Sequence, residues 1–394
     1  MTTTDERPAP GTRPANRRQL ILAAATDLFY RVGYANVGMS DIAAAVAIGP
    51  SALYRHFRGK QELLAAVTAE SIAAVGATLD RLDRPGVAEL SQAIARTAVE
   101  QRRAGVIWWR EARYLSDESH REIRSALHES RTRLADLIGA ARPEVTRPQQ
   151  EFLAVCALGI ATSISFHTAT LPGNRMVTTL TRLIEPALTV PIPARIDARP
   201  SGGQPRRPVV SRRDSVLEAA TELFARQGFS NVSMDDIGQA IGIAGPSLYN
   251  HFANKAEILV AALSRGNEWL RLDLTRALSG VDDAGATLSR VFTGYVAFAF
   301  EQPNLVHLLL TEGGELPEPE RHRLRTAQHE YLAEWIHLAR IADPAVTEIE
   351  AKITVQAAIQ LVNEIAIARR GRALPGAEQL LTAIGRHLLL DTAD

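Results

Sequence analysis

The sequence predicts an all-α protein built from two tandem modules of similar design, and three observations predict this fold class. Alanine and leucine dominate, and most segments repeat apolar residues at helical spacing. The chain of 394 residues is too long for one ordinary hydrophobic core. One segment of 45 residues occurs twice, which indicates an internal repeat.

The repeat has a period of 195 residues. Leu20–Leu64 and Ser215–Leu259 align without a gap, and 22 of the 45 aligned positions are identical. The segments downstream of each copy share little identity but have similar helical periodicity. Prolines and two adjacent glycines interrupt the helical pattern near residues 190–210, as is typical of a linker.

These features divide the chain into six predicted parts, and we call the repeated unit of each module its head. The parts are a disordered tail (1–15), a first head (16–62), a first helical regulatory domain (63–190), a linker (191–210), a second head (211–257) and a second helical regulatory domain (258–394).

Positive charge gathers at the repeated unit, although the net charge of the chain is zero. Residues 1–60 hold eight Lys and Arg against four Asp and Glu, a balance of +4. Residues 191–255 hold eight against six, a balance of +2. This distribution suits contact with nucleic-acid phosphates.

Composition also indicates the compartment. The one cysteine, Cys156, lies in an apolar run and has no second thiol to pair with, so we interpret it as core packing rather than a nucleophile. We find no run long and apolar enough to span a membrane, and the N-terminal segment has no apolar signal core. The sequence therefore predicts a cytoplasmic protein with no membrane partner.

Each copy of the repeat has the pattern of three short helices. Apolar residues recur on one face of the first helix, namely Leu22, Ala25, Leu28 and Phe29 in one copy and Leu217, Ala220, Leu223 and Phe224 in the other. Gly33 and Gly228 then end this helix. A second helix, a tight turn and a third helix follow, which is the pattern of a helix-turn-helix. The third helix of such a unit enters the major groove with its N-terminal residues nearest the base edges.

The segment from Asp41 to Lys60, DIAAAVAIGPSALYRHFRGK, resembles the TetR family of bacterial repressors. Its counterpart from Asp236 to Lys255, DIGQAIGIAGPSLYNHFANK, resembles that family more closely. The run Leu-Tyr-x-His-Phe-x-x-Lys is specific and occurs twice at the same offset. The resemblance implies two TetR-like modules, each with a DNA-binding head and a C-terminal helical domain for ligand binding and dimerisation. It also implies a double-stranded DNA operator and a small-molecule effector as partners.

The resemblance and the arginines before each head give a set of candidate DNA-binding residues. The set is Arg17, Ser40, Ser51, Ala52, Tyr54, Arg55, His56, Lys60, Arg212, Ser233, Pro246, Ser247, Tyr249, Asn250, His251 and Lys255. The resemblance implies that the residues opening the third helix, Ser51, Ala52, Pro246 and Ser247, approach base edges. It implies that the tyrosine and the lysine of each head contact phosphate.

Some of these residues have a second interpretation. Each tyrosine can lie partly in the core with its hydroxyl at the rim. His56 and His251 can be capping or packing residues rather than base contacts. The arginines before each head can reach the minor groove or the DNA backbone, or belong to a solvated tail.

The two heads differ at positions that bear on recognition. The turn has Gly242 in the second head but Ala47 in the first, so the first turn is either mildly strained or of another geometry. The Gly-Pro-Ser sequence is displaced by one position between the heads. Arg55, which can bond guanine, replaces Asn250, which can bond adenine. We therefore expect the heads to read different half-sites.

Family members dimerise through their last two helices, which are expected here near 148–168 and 177–188, and near 346–370 and 376–390. Because one chain carries two heads, we expect an intramolecular pseudo-dimer in which these helix pairs form one asymmetric bundle. The alternative is a homodimer of chains with four heads.

Aromatic residues beside arginine suggest a ligand pocket for a lipid-like acid or an acyl thioester such as an acyl-CoA. The candidates are Trp108, Trp109, Arg113, Phe152, Phe166, Phe292, Tyr295, Tyr331 and Trp335. The alternative for each aromatic residue is ordinary core packing. By analogy, the tandem pair is similar to actinobacterial repressors of lipid or sterol genes.

Other functions have little support in the sequence. It lacks Cys-x-x-Cys, His-Glu-x-x-His, phosphate-loop and Gly-x-Ser-x-Gly motifs. We therefore expect no enzymatic activity, no cofactor and no metal site. The expected function is a repressor released by a small apolar or acyl-type ligand. The alternative is a ligand-binding or protein-binding scaffold of the same fold, acting as an activator or co-regulator.

Overall fold

The computed structural model describes residues 16–192, 211–243, 245–280 and 283–390. Every element of secondary structure in these ranges is helical, which confirms the predicted all-α class. The predicted tail, 1–15, and most of the predicted linker, 193–210, lie outside the described residues.

The first module contains nine of the described α-helices. They are α1 (Arg17–Val32), α2 (Met39–Ala45), α3 (Pro50–Tyr54), α4 (Lys60–Asp80), α5 (Val87–Glu100), α6 (Arg102–Glu111), α7 (Asp117–Ala141), α8 (Arg147–Thr162) and α9 (Arg175–Thr189).

The second module follows the same order with one additional short helix. Its described helices are α10 (Arg212–Gln227), α11 (Met234–Ala240), α12 (Gly245–Tyr249), α13 (Lys255–Leu278), α14 (Ala284–Glu301), α15 (Pro303–Thr311), α16 (Glu318–Ala342), α17 (Glu348–Ile367), α18 (Arg369–Arg372) and α19 (Ala377–Leu390).

Local sequence signals set the ends of these helices. Gly33 and Gly228 end α1 and α10 with φ of 84° and 80°, a left-handed conformation that glycine adopts without a Cβ clash. Thr347 caps α17, because its Oγ1 accepts a hydrogen bond from the backbone N–H of Glu350 at 3.3 Å. The two glycines are the helix-end signals that the sequence predicted.

The last helices of the two modules pack against each other. In this arrangement α8 lies on α17, and α9 lies on α19. The α8 and α17 backbones approach closely at Gly159, where a Cβ would lie 3.1 Å from Cγ of Glu364 and 3.3 Å from Cα of Leu361. One continuous apolar core runs through module two and the last helices of module one, including Ile160 and Leu361.

The first head has a separate apolar core. It contains Phe29, Ile42 and Leu53 of the head and extends to Leu64 of α4 and Ile107 of α6. The head therefore rests on the start of α4 and on α6. Burial of these side chains positions the exposed α3 relative to the regulatory domain.

The expectation that no segment is long and apolar enough to span a membrane was wrong for one helix. Helix α4, Lys60–Asp80, is long and apolar enough to cross a membrane by length and composition. Its alanine content and the absence of charge between Glu70 and Asp80 account for this. In the structure, its side chains Leu63, Leu64 and Val67 are buried in the core of the first head.

Candidate nucleic-acid interface

The two helix-turn-helix turns have the same backbone geometry. The backbone N–H of Ile48 donates to the carbonyl of Ala43, and that of Ile243 to the carbonyl of Gly238, each at 3.0 Å. Ala47 has φ of 53° and Gly242 has φ of 68°. Of the two geometries left open by the sequence, the first turn therefore adopts the strained one, with an alanine in the left-handed region.

The third helix of each head presents side chains to solvent on one face. Leu53 and Leu248 are fully buried and hold the helix to the head. Tyr54 and Tyr249 are 53% and 55% exposed, which leaves their hydroxyls accessible at the helix surface. Exposure at this level favours the phosphate-contact interpretation over core packing.

The remaining candidates on these helices lie on the same surface. Ser51 and Arg55 are exposed, and Ala52 is half-buried. In the second head Asn250 is exposed and Ser247 is half-buried. The side chain of Pro246 lies outside the described part of the structure.

The histidines of the two heads differ in exposure, because His56 is exposed and His251 is half-buried. The arginines Arg17 and Arg212 are the first residues of α1 and α10. The next residues, Arg18 and Arg213, lie over the rings of Phe57 and Phe252, at 5.2 and 4.5 Å from the centroids. The second arginine of each pair therefore packs on its own head.

Ser40 and Ser233 do not occupy equivalent positions. Ser233 caps α11, and its Oγ accepts a hydrogen bond from the backbone N–H of Asp236 at 3.1 Å. Gly38 holds the capping position of α2, and Ser40 is exposed one residue inside the helix. The Asp236 carboxylate accepts a hydrogen bond from the Ser233 hydroxyl, and this bond lowers the pKa of Asp236. Ser233 is thus a capping residue, whereas the exposed Ser40 stays a predicted DNA contact.

The two lysines expected to contact phosphate bind within their own heads. Nζ of Lys60 donates to the carbonyl of Tyr34 at 2.8 Å and lies 4.2 Å from the centroid of its ring. Nζ of Lys255 donates to the carbonyls of Phe229, Ser230 and Val232 at 2.9, 3.3 and 3.0 Å. Because an ammonium group has three donors, Lys255 is saturated. These lysines hold the turn that follows the first helix.

A buried glutamate joins each regulatory domain to its head, and sequence reasoning missed both of these residues. Glu111, at the end of α6, accepts a hydrogen bond from the backbone N–H of Tyr34 at 3.3 Å. Burial raises the pKa of the Glu111 carboxyl, and the Tyr34 bond and Arg113 oppose the rise. Glu312 follows α15 in the same way, 201 residues later (312 − 111). The repeat shift of 195 does not align these two residues.

Arg113 connects the two modules. Its Nη1 lies 3.0 Å from Oε2 of Glu312 and 3.2 Å from Oε1 of Glu315, both in module two. Burial raises the pKa of Glu312, while Arg113 and the backbone of Phe229 oppose the rise. Arg113 was a candidate pocket residue, and the structure places it in this cross-module ion pair, at the edge of an open groove that Trp108 and Trp109 also line.

The other candidate pocket residues fall into two groups. Phe166, Tyr295 and Tyr331 line a cavity of about 490 Å³. Phe152, Phe292 and Trp335 are 2%, 0% and 0% exposed and pack in the core, as the alternative interpretation expected.

Comparison with known proteins identifies the heads. The profile of the tetR family of bacterial regulatory proteins matches residues 21–67 and again residues 216–262. The HTH-type transcriptional activator FasR of Mycolicibacterium smegmatis is 31% identical over 127 residues, which is 32% of this chain and 58% of that protein. An HTH-type transcriptional regulator of Haemophilus influenzae is 29% identical over 26% of this chain and 50% of its own length. The chain thus spans about half the length of the curated relatives it matches.

Solved structures show weaker overall similarity. A TetR-family transcriptional regulator from Bordetella parapertussis is 20% identical, with a TM-score of 0.43 over 47% of this chain and 100% of that chain. The ketosteroid transcriptional regulator KstR2 of Mycobacterium tuberculosis is 21% identical, with a TM-score of 0.38 over 46% of this chain and 93% of its own.

Each of the two helix-turn-helix heads, in tandem in this chain, matches the tetR family of bacterial regulatory proteins. Each profile match covers one head and the start of the following helix, α4 or α13.

Proposed function

We propose that this chain is a DNA-binding transcriptional regulator whose two unequal heads read the two halves of an asymmetric operator. One observation carries the proposal: the same helix-turn-helix backbone occurs twice with different exposed side chains. Arg55 in one head faces solvent where Asn250 does in the other. Arginine and asparagine favour different bases in the major groove, guanine and adenine respectively.

We further propose that one chain supplies both heads as an intramolecular pseudo-dimer. The packing of α8 and α9 on α17 and α19 supports this arrangement, because family dimers use the corresponding helices. An ion pair 2.9 Å long between Arg175 of α9 and Glu350 of α17 also joins the modules. In this proposal a second chain is not needed to occupy the second half-site.

The proposed response is release of repression by a small apolar or acyl-type ligand. A relative with 31% identity bears the name of a transcriptional activator, which favours activation as the second candidate. A promoter–reporter fusion to the region upstream of the gene separates the two. Deletion of the gene raises reporter output if the protein represses and lowers it if the protein activates.

Binding to DNA is tested by fluorescence anisotropy with duplexes from that upstream region. We expect affinity to fall about a thousandfold between 50 and 200 mM salt, because several phosphates are neutralised by the two heads. No binding to any upstream fragment at low salt would favour the alternative of a scaffold that does not bind DNA.

Asymmetric reading is tested with matched head variants. Arg55→Ala and Asn250→Ala should each cost about 1–3 kcal/mol of binding free energy and relax base preference in different halves of the footprint. Arg81→Ala, at the far end of α4, is the control and should leave the footprint unchanged. A perfect palindrome in which both variants weaken both halves equally would contradict asymmetric reading.

A further inference from the structure

An open groove of about 870 Å³ lies between the two modules. Helices α6 and α7 of module one form one of its walls. The end of α10, in the second head, forms the other wall together with α15 and the end of α17. The groove is distinct from the cavity lined by Tyr295 and Tyr331, with which it shares Arg110. An occupant would contact the regulatory domain of module one and the head of module two at once.

Basic side chains form a stripe along α7. The four residues recur every three or four positions, so they lie on one face of the helix, and all of them line the groove: His120, Arg124, His128 and Arg131. Burial lowers the pKa of His120, and Arg124 lowers it further, so this ring is mostly neutral at pH 7. The arginines therefore carry most of the positive charge of the stripe.

The carboxylates of the groove neutralise only part of this charge. Five arginines line the groove against three carboxylates, which belong to Asp117, Glu312 and Glu364. Arg113 already pairs with Glu312 at 3.0 Å, and burial raises the pKa of the Glu364 carboxyl. Among the described residues, no carboxylate forms an ion pair with Arg124. The groove thus has a net positive charge that suits an anion.

Arg131 adds a guanidinium that no hydrogen bond holds in place. Its Nη2 lies 3.9 Å from Oε2 of Glu364, which is beyond hydrogen-bond distance. Its buried Nε has no partner in the part of the chain that the structure describes. A buried donor without an acceptor costs free energy. The guanidinium can therefore turn toward an anion in the groove, which would supply the acceptor that it lacks.

Two tryptophans supply flat apolar surface beside these arginines. Trp108 and Trp109 are both half-buried, and both line the groove. The ring centroid of Trp108 lies 5.5 Å from that of His120, and the ring centroid of Trp109 lies 6.4 Å from that of His307. These contacts position the indoles against the walls. Aromatic rings beside arginines are the combination that proteins use to bind the bases and phosphates of nucleotides.

The tryptophan pair occurs in one module and not in the other. The shift of 201 residues that relates Glu111 to Glu312 places Leu309 and Leu310 of α15 at the positions of Trp108 and Trp109 of α6. Leucine offers no ring on which a base can stack. The features of the groove therefore predict one site in each chain.

We propose that this groove is a binding site for a nucleoside polyphosphate. The base lies against Trp108 and Trp109, and the phosphates pair with Arg124 and Arg131. The site goes beyond the proposed regulator function and does not rest on it, because binding is measured on the free protein without DNA.

Calorimetric titration of the full chain with ADP, adenosine and pyrophosphate tests the site. We expect one ADP per chain. Adenosine and pyrophosphate should each bind about tenfold more weakly or worse, because adenosine lacks the charge and pyrophosphate lacks the ring. Two ADP per chain would indicate binding on the two heads and would overturn the proposal. Equal binding of adenosine or pyrophosphate, or no binding of ADP, would also overturn it.

Matched arginine variants locate the bound phosphates. Arg124→Gln should weaken ADP binding about tenfold, because it removes a charge-assisted phosphate contact. Arg121→Gln makes the same change on the same helix, at an exposed residue outside the groove, and should leave ADP binding unchanged. Both side chains are exposed, so neither change should alter the melting temperature. Equal ADP binding by the two variants would contradict the site.

A second set of variants tests the stacking surface and separates the groove from the neighbouring cavity. Trp108→Leu should weaken ADP binding about tenfold, and Trp269→Leu, in a different groove of module two, should not affect it. Leu332→Trp fills the cavity of about 490 Å³ and should also leave ADP binding unchanged. If Leu332→Trp weakens ADP binding and Arg124→Gln does not, the nucleotide occupies that cavity and the proposal is wrong.

Discussion

Single residues predict that the two heads differ in stability as well as in recognition. Ala47 has the left-handed φ that Gly242 adopts freely in the second head. We expect Ala47→Gly to stabilise the first head by up to about 1 kcal/mol and Gly242→Ala to destabilise the second by about 1 kcal/mol. Hydrogen exchange of peptides covering 39–54 and 234–249 measures each head separately. Equal protection in wild type and both variants would contradict the strain at Ala47.

The head lysines allow a structural role to be separated from a phosphate contact. Lys255→Gln leaves three backbone carbonyls without their ammonium donor, so we expect the free energy of unfolding to fall by about 1 kcal/mol or more. We expect no change in the salt dependence of DNA binding, whereas loss of a phosphate contact lowers that slope by about 1. Arg226→Gln, which breaks an exposed pair with Glu222, is the control. If Lys255→Gln lowers the slope of the salt dependence and the control does not, Lys255 contacts phosphate after all.

At the scale of helices, the contact of α8 with α17 contains a buried charge. Glu364 is 7% exposed, and its nearest cation, Nη2 of Arg131, is 3.9 Å from its Oε2. Burial raises the pKa of the Glu364 carboxyl, and Arg131 and Gln360 oppose the rise only in part. A carboxyl whose pKa is higher in the folded state adds stability at low pH. That stability is lost as pH rises from the unfolded pKa, about 4.3, through the folded value.

Glu364→Gln therefore tests the packing of α8 on α17 through pH dependence. The glutamine keeps a polar group beside Gln360 and removes the buried charge. We expect the variant to gain stability over the wild type as pH rises from 5 to 8, by an amount on the order of 1 kcal/mol. Urea unfolding across this range measures it, with the exposed Glu334→Gln as control. A constant difference between variant and wild type would contradict the burial of this charge.

The sequence predicted elements well where local signals determine them. Helix α17 was expected near 346–370 and is observed at Glu348–Ile367, because Thr347 provides a capping signal. Helix α8 was expected near 148–168 but ends at Thr162, and a short 3-10 turn at Ser163–Ser165 follows. No glycine or proline marks that end. The prediction relied on periodicity alone and therefore made the helix too long.

Sequence analysis predicted the parts of the site that are formed by residues close together in the chain. The helix-turn-helix is contained within about 40 residues of each module, and its repetition at a fixed offset made it visible. The bond from Tyr34 to Glu111 spans 77 residues, and the ion pair from Arg113 to Glu312 spans 199. Such partners are set by tertiary packing, which periodicity and spacing do not encode.

At the scale of the whole molecule, a line of polar contacts connects the two heads. Glu111 bonds the backbone of the first head, Arg113 follows it by two residues, and Glu312 lies beside the backbone of the second head. The counterpart of Arg113 in module two is Gly314 (113 + 201), so a single arginine forms the link. We expect this contact to fix the position of one head relative to the other.

Substitution of this arginine should affect DNA binding by the two heads together but not DNA binding by one head alone. We expect Arg113→Ala to weaken binding to the complete operator about tenfold, because the relative placement of the heads is no longer fixed. Duplexes with one half-site should bind it as they bind the wild type. Arg340→Ala, which breaks an exposed pair with Glu348, is the control. Equal weakening on complete and half-site duplexes would assign Arg113 to a single head instead.

The central claim is that one chain holds both heads of the regulator on a shared helical bundle. Light scattering coupled to gel filtration tests it directly, with and without an upstream duplex that contains both half-sites. The account predicts a free mass of 42.8 kDa and one chain on each duplex. A strict dimer of twice that mass, or two chains on each duplex, would contradict it.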